Sequence, residues 1–187
     1  MKKFELTAEF VTNVFGKKLF RIKALVAFGN VEKGELGGFI EKEDNLSHDG
    51  NAWVSGNAQV YDDARVYDDA QVFGNARVYG NAWVYGNARV FGNARVFGNA
   101  RVSGDAWVYD DADYAVVKGF GRYFRTTTFF RCKDKILRVQ CGCFYGDLAQ
   151  FREIVKKTHG DSKYAKEYLA IADLMELHFS DECGGEQ

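Results

Sequence analysis

Between residues 50 and 109 the chain repeats itself every six residues, and no other feature narrows the fold as far. Gly50-Asn51-Ala52-Trp53-Val54-Ser55 opens a run of ten hexads without insertion, closing on Gly104-Asp105-Ala106-Trp107-Val108-Tyr109. Every hexad carries Val at its fifth position and Ala two residues earlier. Residues two apart point to the same face of an extended strand, so Ala and Val share one face. The residue between them and the residue after Val share the other. The remaining pair is Gly-Asn, Asp-Asp or Gly-Asp. These residues tolerate left-handed backbone, so the chain turns there at little cost. A short strand and a corner every six residues describe a coil with an Ala and Val interior. An α-helix is excluded, because a period of six with glycine at the turns suits no helical face.

The G-N-A-R-V-F pattern resembles the hexapeptide repeat of left-handed parallel β-helices. The resemblance implies three hexads per coil and a triangular prism, with coils about 4.8 Å apart. Ten hexads then stack to roughly 16 Å at that spacing. The preceding stretch, LFRIKALVAFGNVEKGELGGFIEKEDNLSHDGNA, is similar to the opening of bacterial hexapeptide-repeat proteins of the YdcK type. It shares an apolar strand, Gly37-Gly38, the pair Phe39-Ile40, and Asn45-Leu46-Ser47 leading into the coils. Such openings recur in phage and prophage proteins, and so does the segment TTTFFRCKDKILRVQCGCFYGDLAQF near the C-terminus. Residues 44–49 read as a worn hexad, with Leu46 in the alanine slot and His48 in the valine slot. The expected organisation is a mainly β chain in three parts: a capping segment at 1–49, a left-handed β-helix at 50–112, and a C-terminal module at 113–187. Atypical end units are needed because an open coil end exposes strand edges and an apolar core.

With three hexads per coil, outward residues align in columns. One face stacks Trp53, Gln71, Arg89 and Trp107 beside Ser55, Phe73, Phe91 and Tyr109. The second stacks Gln59, Arg77 and Arg95 beside Tyr61, Tyr79 and Phe97. The third stacks Arg65, Trp83 and Arg101 beside Tyr67, Tyr85 and Ser103. Two readings stay open. Each column stacks on itself, with Arg lying over the rings. Alternatively, at least one face is an interface, where Tyr, Trp, Phe and Arg are enriched. On the second reading Tyr61, Phe73, Arg77, Tyr79, Phe91, Arg95, Phe97 and Tyr109 are the binding or oligomerisation residues, and a homodimer is the expected assembly. A phosphate track along the coils is disfavoured: residues 50–112 hold five Arg against seven Asp, whereas polyanion binding needs a cationic surplus.

Catalysis is not expected from the coils. A hexapeptide acyltransferase needs a general base, usually His, and a loop thrown out from the coils. The repeat has neither, and the three histidines, His48, His159 and His178, all lie outside it. A carbonic anhydrase of this fold needs three His around a metal, and the coils supply none. No metal and no cofactor are expected. A net charge of −1, no apolar run long enough for a membrane span, and no apolar leader after Met1 point to a cytoplasmic location with no membrane role. On that view Cys132, Cys141, Cys143 and Cys183 are reduced thiols.

The C-terminal module reads as a β-hairpin plus two helices. Residues 114–143 read as strands: 123–132 is rich in Thr and Phe, and 135–141 alternates, with Lys133-Asp134 as the turn between them. Asp147 is a candidate N-cap for a first helix ending at His159-Gly160, which buries Leu148, Phe151, Ile154 and Val155. A second helix begins at Asp161 or Ser162 and runs to about His178. Its inward set is Tyr164, Ala165, Tyr168, Leu169, Ala172, Met175 and Leu177 or Phe179. The β part is basic: Lys118, Arg122, Arg125, Arg131, Lys133, Lys135 and Arg138 face Asp134 alone, among several aromatics. Arg122, Arg125, Arg131, Lys133 and Arg138 are therefore candidates for phosphate or partner contacts. The competing reading makes the rings core and the charges a solvated face. Cys141-x-Cys143 with Cys132 and His159 is a weak match to a zinc set, since no second C-x2-C pair is present.

The function expected from these features is a non-enzymatic binding or assembly protein of phage or prophage origin that associates with itself and with a host protein. The alternative is an inhibitor of a host defence enzyme that blocks its surface or sequesters a nucleotide. An acyltransferase relic is the remote third.

Overall fold

The computed structural model describes residues 1–180; Cys183 and the polar tail expected after Ser180 lie outside the described residues. Each Ala-x-Val unit forms a two-residue strand. These are β4 to β13, at Trp53–Val54, Gln59–Val60, Arg65–Val66, Gln71–Val72, Arg77–Val78, Trp83–Val84, Arg89–Val90, Arg95–Val96, Arg101–Val102 and Trp107–Val108. Parallel partners are three hexads apart: Val54, Val72, Val90 and Val108 form one interior column, Val60, Val78 and Val96 a second, and Val66, Val84 and Val102 a third. Every Ala and Val of the repeat is at most 1% exposed. The chain is thus a β-solenoid whose interior is Ala and Val alone along the repeat.

The corners explain the composition of the turn pair. Its first residue has positive φ at every hexad, as at Gly80 (+71°) and Gly86 (+68°). Asp62 (+61°) and Asp68 (+58°) take the same conformation in the two Asp-Asp hexads. Left-handed backbone disfavours a side chain, but Asp is among the residues that tolerate it. Each carboxylate also bonds along the stack: Asp62 Oδ2 accepts the Gly80 N–H at 3.0 Å and Asp68 Oδ2 accepts the Gly86 N–H at 3.1 Å, one coil along.

The N-terminal part adds strands to one face of the prism. β1 (Phe4–Thr12) and β2 (Lys18–Ala24) form a hairpin, and β3 (Leu36–Ile40) pairs antiparallel to β2 and parallel to β5. The result is a six-stranded sheet, β1-β2-β3-β5-β8-β11. The worn hexad is out of step with its expected alignment. Ile40 pairs with Val60, and Leu46, not His48, bridges to Val66 in the valine slot. Counting back in sixes from Val54 misplaces this segment, because the corner between Leu46 and Val54 holds two extra residues. With Ile40 and Leu46 included, the solenoid has about four turns. Its open end is closed by buried polar side chains: Asn45 Nδ2 donates to Ala64 O at 2.8 Å and Lys3 Nζ donates to Ala52 O at 2.9 Å. Edge carbonyls that would otherwise be stranded are satisfied this way.

After the coils the chain forms a four-stranded antiparallel sheet rather than a single hairpin. Its strands are β14 (Tyr114–Phe120), β15 (Arg125–Arg131), β16 (Leu137–Cys141) and β17 (Phe144–Asp147). β14 to β16 lie within residues 114–143, which read as strands, whereas β17 escapes that reading because Gly146-Asp147 reads as the start of a helix. Strand alternation splits the sheet between two cores. Phe130 and Cys132 join the coil interior, while Phe129 and Val139 pack with the helices. The sheet is bonded to the last coil: Arg101 N–H donates to Thr128 Oγ1 at 3.0 Å and Lys133 N–H to Asp105 O at 3.1 Å.

Helices α1 (Leu148–His159) and α2 (Lys163–Phe179) cover the far side. Asp147 caps α1 by accepting the Gln150 N–H at 2.8 Å, and Ser162 caps α2. Leu148, Phe151 and Val155 are buried as the spacing predicts, but Ile154 is not. In α2 the inward face is Ala165, Tyr168, Ile171, Ala172, Met175 and Phe179. Tyr164 and Leu177 are exposed, and Leu169 is only partly buried. An antiparallel helix pair lying on a sheet buries a narrower stripe than the apolar residues alone mark out. No helix among the described residues is long and apolar enough to cross a membrane.

Candidate functional site

The outward columns form ladders. Tyr61 and Tyr79 stack at 5.0 Å with rings 3° from parallel, and Tyr79 and Phe97 follow at 5.3 Å and 11°. Tyr67 and Tyr85 stack at 4.9 Å, as do Phe73 and Phe91. Tyr109 departs from its column and meets Phe91 edge-on at 67°. Arginines cover some rings, with Arg101 4.9 Å from the centre of Trp83 and Arg89 5.8 Å from that of Trp107. Near-parallel rings over successive coils mean that these short strands hardly twist. Sheets stay flat in this way when side-chain ladders hold them.

Self-stacking does not cover the ladders evenly. At the N-terminal end Tyr61 is 4% exposed, because Leu19 and Phe39 pack against it. Trp53, also outward, is buried under the edge of Phe28 at 5.4 Å. Exposure grows towards the other end: Tyr79 is half-buried, whereas Phe97 is 48% exposed and Tyr109 55%. Arg77 is half-buried and Arg95 exposed. Phe97 stands at a cleft lined by Tyr114, Val116 and Lys118, where the Tyr114 hydroxyl donates to Arg95 O at 2.5 Å. Of the eight ladder residues picked out in the sequence, Arg95, Phe97 and Tyr109 are thus the most available.

The five basic candidates do not converge on one surface. Arg138 donates to Asp134 at 2.8 Å, and Arg131 lies 3.6 Å from Asp113 and donates to Phe179 O. Both hold the fold together. Lys133 sits 5.9 Å from the ring centre of Trp107. Arg122 and Arg125 lie against Tyr123 and remain exposed. Arg125 shares a cleft with Arg101 of the last full coil, a pairing hidden from the sequence because the two are brought together only by the docking of β15 on β12.

The histidines and cysteines are dispersed. His48 stacks on Phe4 at 4.3 Å, and its Nδ1 accepts the Lys3 backbone N–H at 3.2 Å. The neutral ring therefore carries its proton on Nε2, which faces Glu43 at 3.7 Å. Its one lone pair is already occupied, a poor state for a general base. Cys132 faces the coils, whereas Cys141 faces the helices, so the two cannot ligate one ion. Burial pushes the Cys132 thiol up to about 11, which marks a packing residue and not a nucleophile. Cys141, Cys143 and His159 do line one cavity, between the sheet and the helices. Among the described residues no group of three His, Cys, Asp or Glu is placed to hold a metal.

No curated protein matches the chain. The family model described as YdcK beta solenoid repeat matches residues 58–72, 70–86, 82–96 and 94–110. Successive matches begin two hexads apart, and they stop where the coils stop. Neither the N-terminal strands nor the C-terminal module falls within them. Over residues 58–110 the coils match the YdcK β-solenoid repeat.

Proposed function

We propose that this protein is a non-enzymatic assembly protein that pairs with a second copy of itself through the outer face of its six-stranded sheet. The observation that carries this reading is the gradient along the Tyr61-Tyr79-Phe97 ladder, which ends in a half-exposed Phe97 beside the Tyr114–Val116 cleft. A flat, rigid face loses little entropy on docking, and aromatic residues and Arg are the types that dominate interface energies. A two-fold arrangement sets the same patch against itself and closes the assembly. The coil strands follow one another with no loop between hexads, which supports a scaffold rather than an acyltransferase. The free thiols Cys132, Cys141 and Cys143 support a reducing compartment, and this reading puts the protein in a bacterial cytoplasm, with a phage or prophage as its source.

Light scattering at micromolar concentration should report twice the chain mass of 21.1 kDa. Phe97→Ser should return it to one chain with the coils still folded, because the ring points away from the Val interior. A single-chain mass for the unaltered protein would overturn the reading. A dimer untouched by Phe97→Ser would move the interface to the Phe73-Phe91-Tyr109 column.

A further inference from the structure

We infer that the junction between the last coil and the C-terminal sheet binds a small aromatic anion of the mononucleotide class. The inference goes beyond the assembly reading and does not depend on it. Two arginines from distant parts of the chain, Arg101 on β12 and Arg125 at the start of β15, line one cleft together with Asn99, Thr126, Gly142 and Cys143. No Asp or Glu is among these residues. Among the described residues, no carboxylate makes an ion pair within 4.0 Å of either guanidinium. Each is held by an aromatic ring instead, Arg101 by Trp83 at 4.9 Å and Arg125 by Tyr123 at 4.9 Å. In a chain with as many carboxylates as this one, 26 against 25 Lys and Arg, two neighbouring arginines without ion-pair partners form a local positive site. Guanidinium forks beside an amide and a hydroxyl match the oxygens of a phosphate.

The cleft does not end at the arginines. Arg125 and Cys143 also line an adjoining cavity of about 200 Å³, walled by Tyr123, Phe144, Ile154 and Tyr168. That volume is below the ~300 Å³ at which drug-sized pockets begin, so it takes one planar ring and not a segment of protein. Polar and apolar compartments meeting at Arg125 call for a ligand with a ring at one end and an anionic group at the other. Bases stack on aromatic and guanidinium planes, which is what Tyr123, Arg122 and Arg125 offer. Gly142 makes the meeting point passable: it has φ +62°, and a Cβ there would lie 2.5 Å from an Arg125 guanidinium nitrogen.

Isothermal titration calorimetry of the full chain with AMP, adenosine and inorganic phosphate tests the site. AMP should bind with a dissociation constant below ~1 mM, with adenosine and phosphate each weaker by about tenfold or more. Arg101→Ala and Arg125→Ala should each weaken AMP by about tenfold or more, the scale of a lost charge-assisted hydrogen bond. Arg65→Ala, in the same coil column but outside the cleft, should leave the affinity unchanged. AMP should also slow alkylation of the exposed thiol Cys143 in the unaltered protein. Melting temperatures of all variants show whether they are folded, and Arg101→Gln or Arg125→Gln replaces the alanine variant at the same position if that one is not. Absence of AMP binding at about 5 mM, a level well above the weakest useful affinity, would overturn the inference. So would phosphate binding as tightly as AMP, or unchanged affinity in a folded Arg125 variant. Light scattering on the same samples reads the dimer separately, so failure of one proposal leaves the other standing.

Discussion

A single atom decides what each corner of the solenoid tolerates. At Gly86, φ is +68° and a Cβ would come 2.9 Å from the Gly104 backbone nitrogen of the next coil. Gly86→Ala should therefore destabilise the protein by about 1–3 kcal/mol, the range for strained backbone, as read by urea unfolding. A loss below the noise of that measurement would show that the coils can shift apart there. Lys3 makes a different prediction. Burial pulls its ammonium down from 10.5 to about 8. A base with a depressed folded pKa binds fewer protons folded than unfolded between those values, so its contribution to stability rises as pH climbs from about 8 to 10.5. Lys3→Met should flatten that part of the stability–pH curve, measured by urea midpoints across the window. An unaltered slope would mean that Lys3 titrates normally.

At the scale of elements, the C-terminal sheet serves two cores through adjacent residues. Phe129 and Phe130 are both fully buried, the first against the helices and the second against the coil end. Each Phe→Ala change should cost about 3–5 kcal/mol, but the damage should fall on opposite sides. Hydrogen exchange should accelerate in α1 and α2 for Phe129→Ala, and in the strands of the last coil for Phe130→Ala. Identical exchange maps would refute the division of the sheet between two cores. The N-terminal hairpin is tied to the coils by charge as well as by pairing. Lys17 Nζ lies 3.1 Å from Glu41 and 2.7 Å from Asp62, but solvent screens these exposed pairs, so the strand pairing of β3 with β5 holds the hairpin more firmly than the charges do.

Across the whole molecule, the coil interior is continuous with the N-terminal strands and with one face of the C-terminal sheet. A defect in the middle should therefore be felt at both ends. Val78 is fully buried among Ala and Val. Val78→Asp should remove several kcal/mol by burying an unpaired charge, which is most of the ~5–15 kcal/mol stability of an ordinary domain. Circular dichroism should show the variant largely unfolded at 25 °C, or melting far below the unaltered protein. A variant that keeps its melting temperature would mean that residue 78 is not interior.

The sequence alone determined the solenoid. Ala and Val two apart, repeated every six residues around Gly-Asn corners, require a coil that buries the apolar face, and the resemblance to hexapeptide repeats implied the parallel pairing of every third hexad that the structure has. The caps of α1 and α2 were equally legible, because Asp147 and Ser162 act on backbone three residues away. Local patterns carry local consequences. What only the tertiary structure decided lies where the pattern loses its period or where distant segments meet. The two extra residues before Val54 moved Leu46 into the valine slot, and Gly146-Asp147, which reads as a helix start, hid β17. The basic residues looked like one cluster in the sequence, yet docking sent Arg131 and Arg138 into structural contacts and brought Arg125 to Arg101. The exposure of a ladder ring also depends on what packs over it: Tyr61 and Phe97 hold the same slot of the hexad, and only the N-terminal strands make one buried and the other half-exposed.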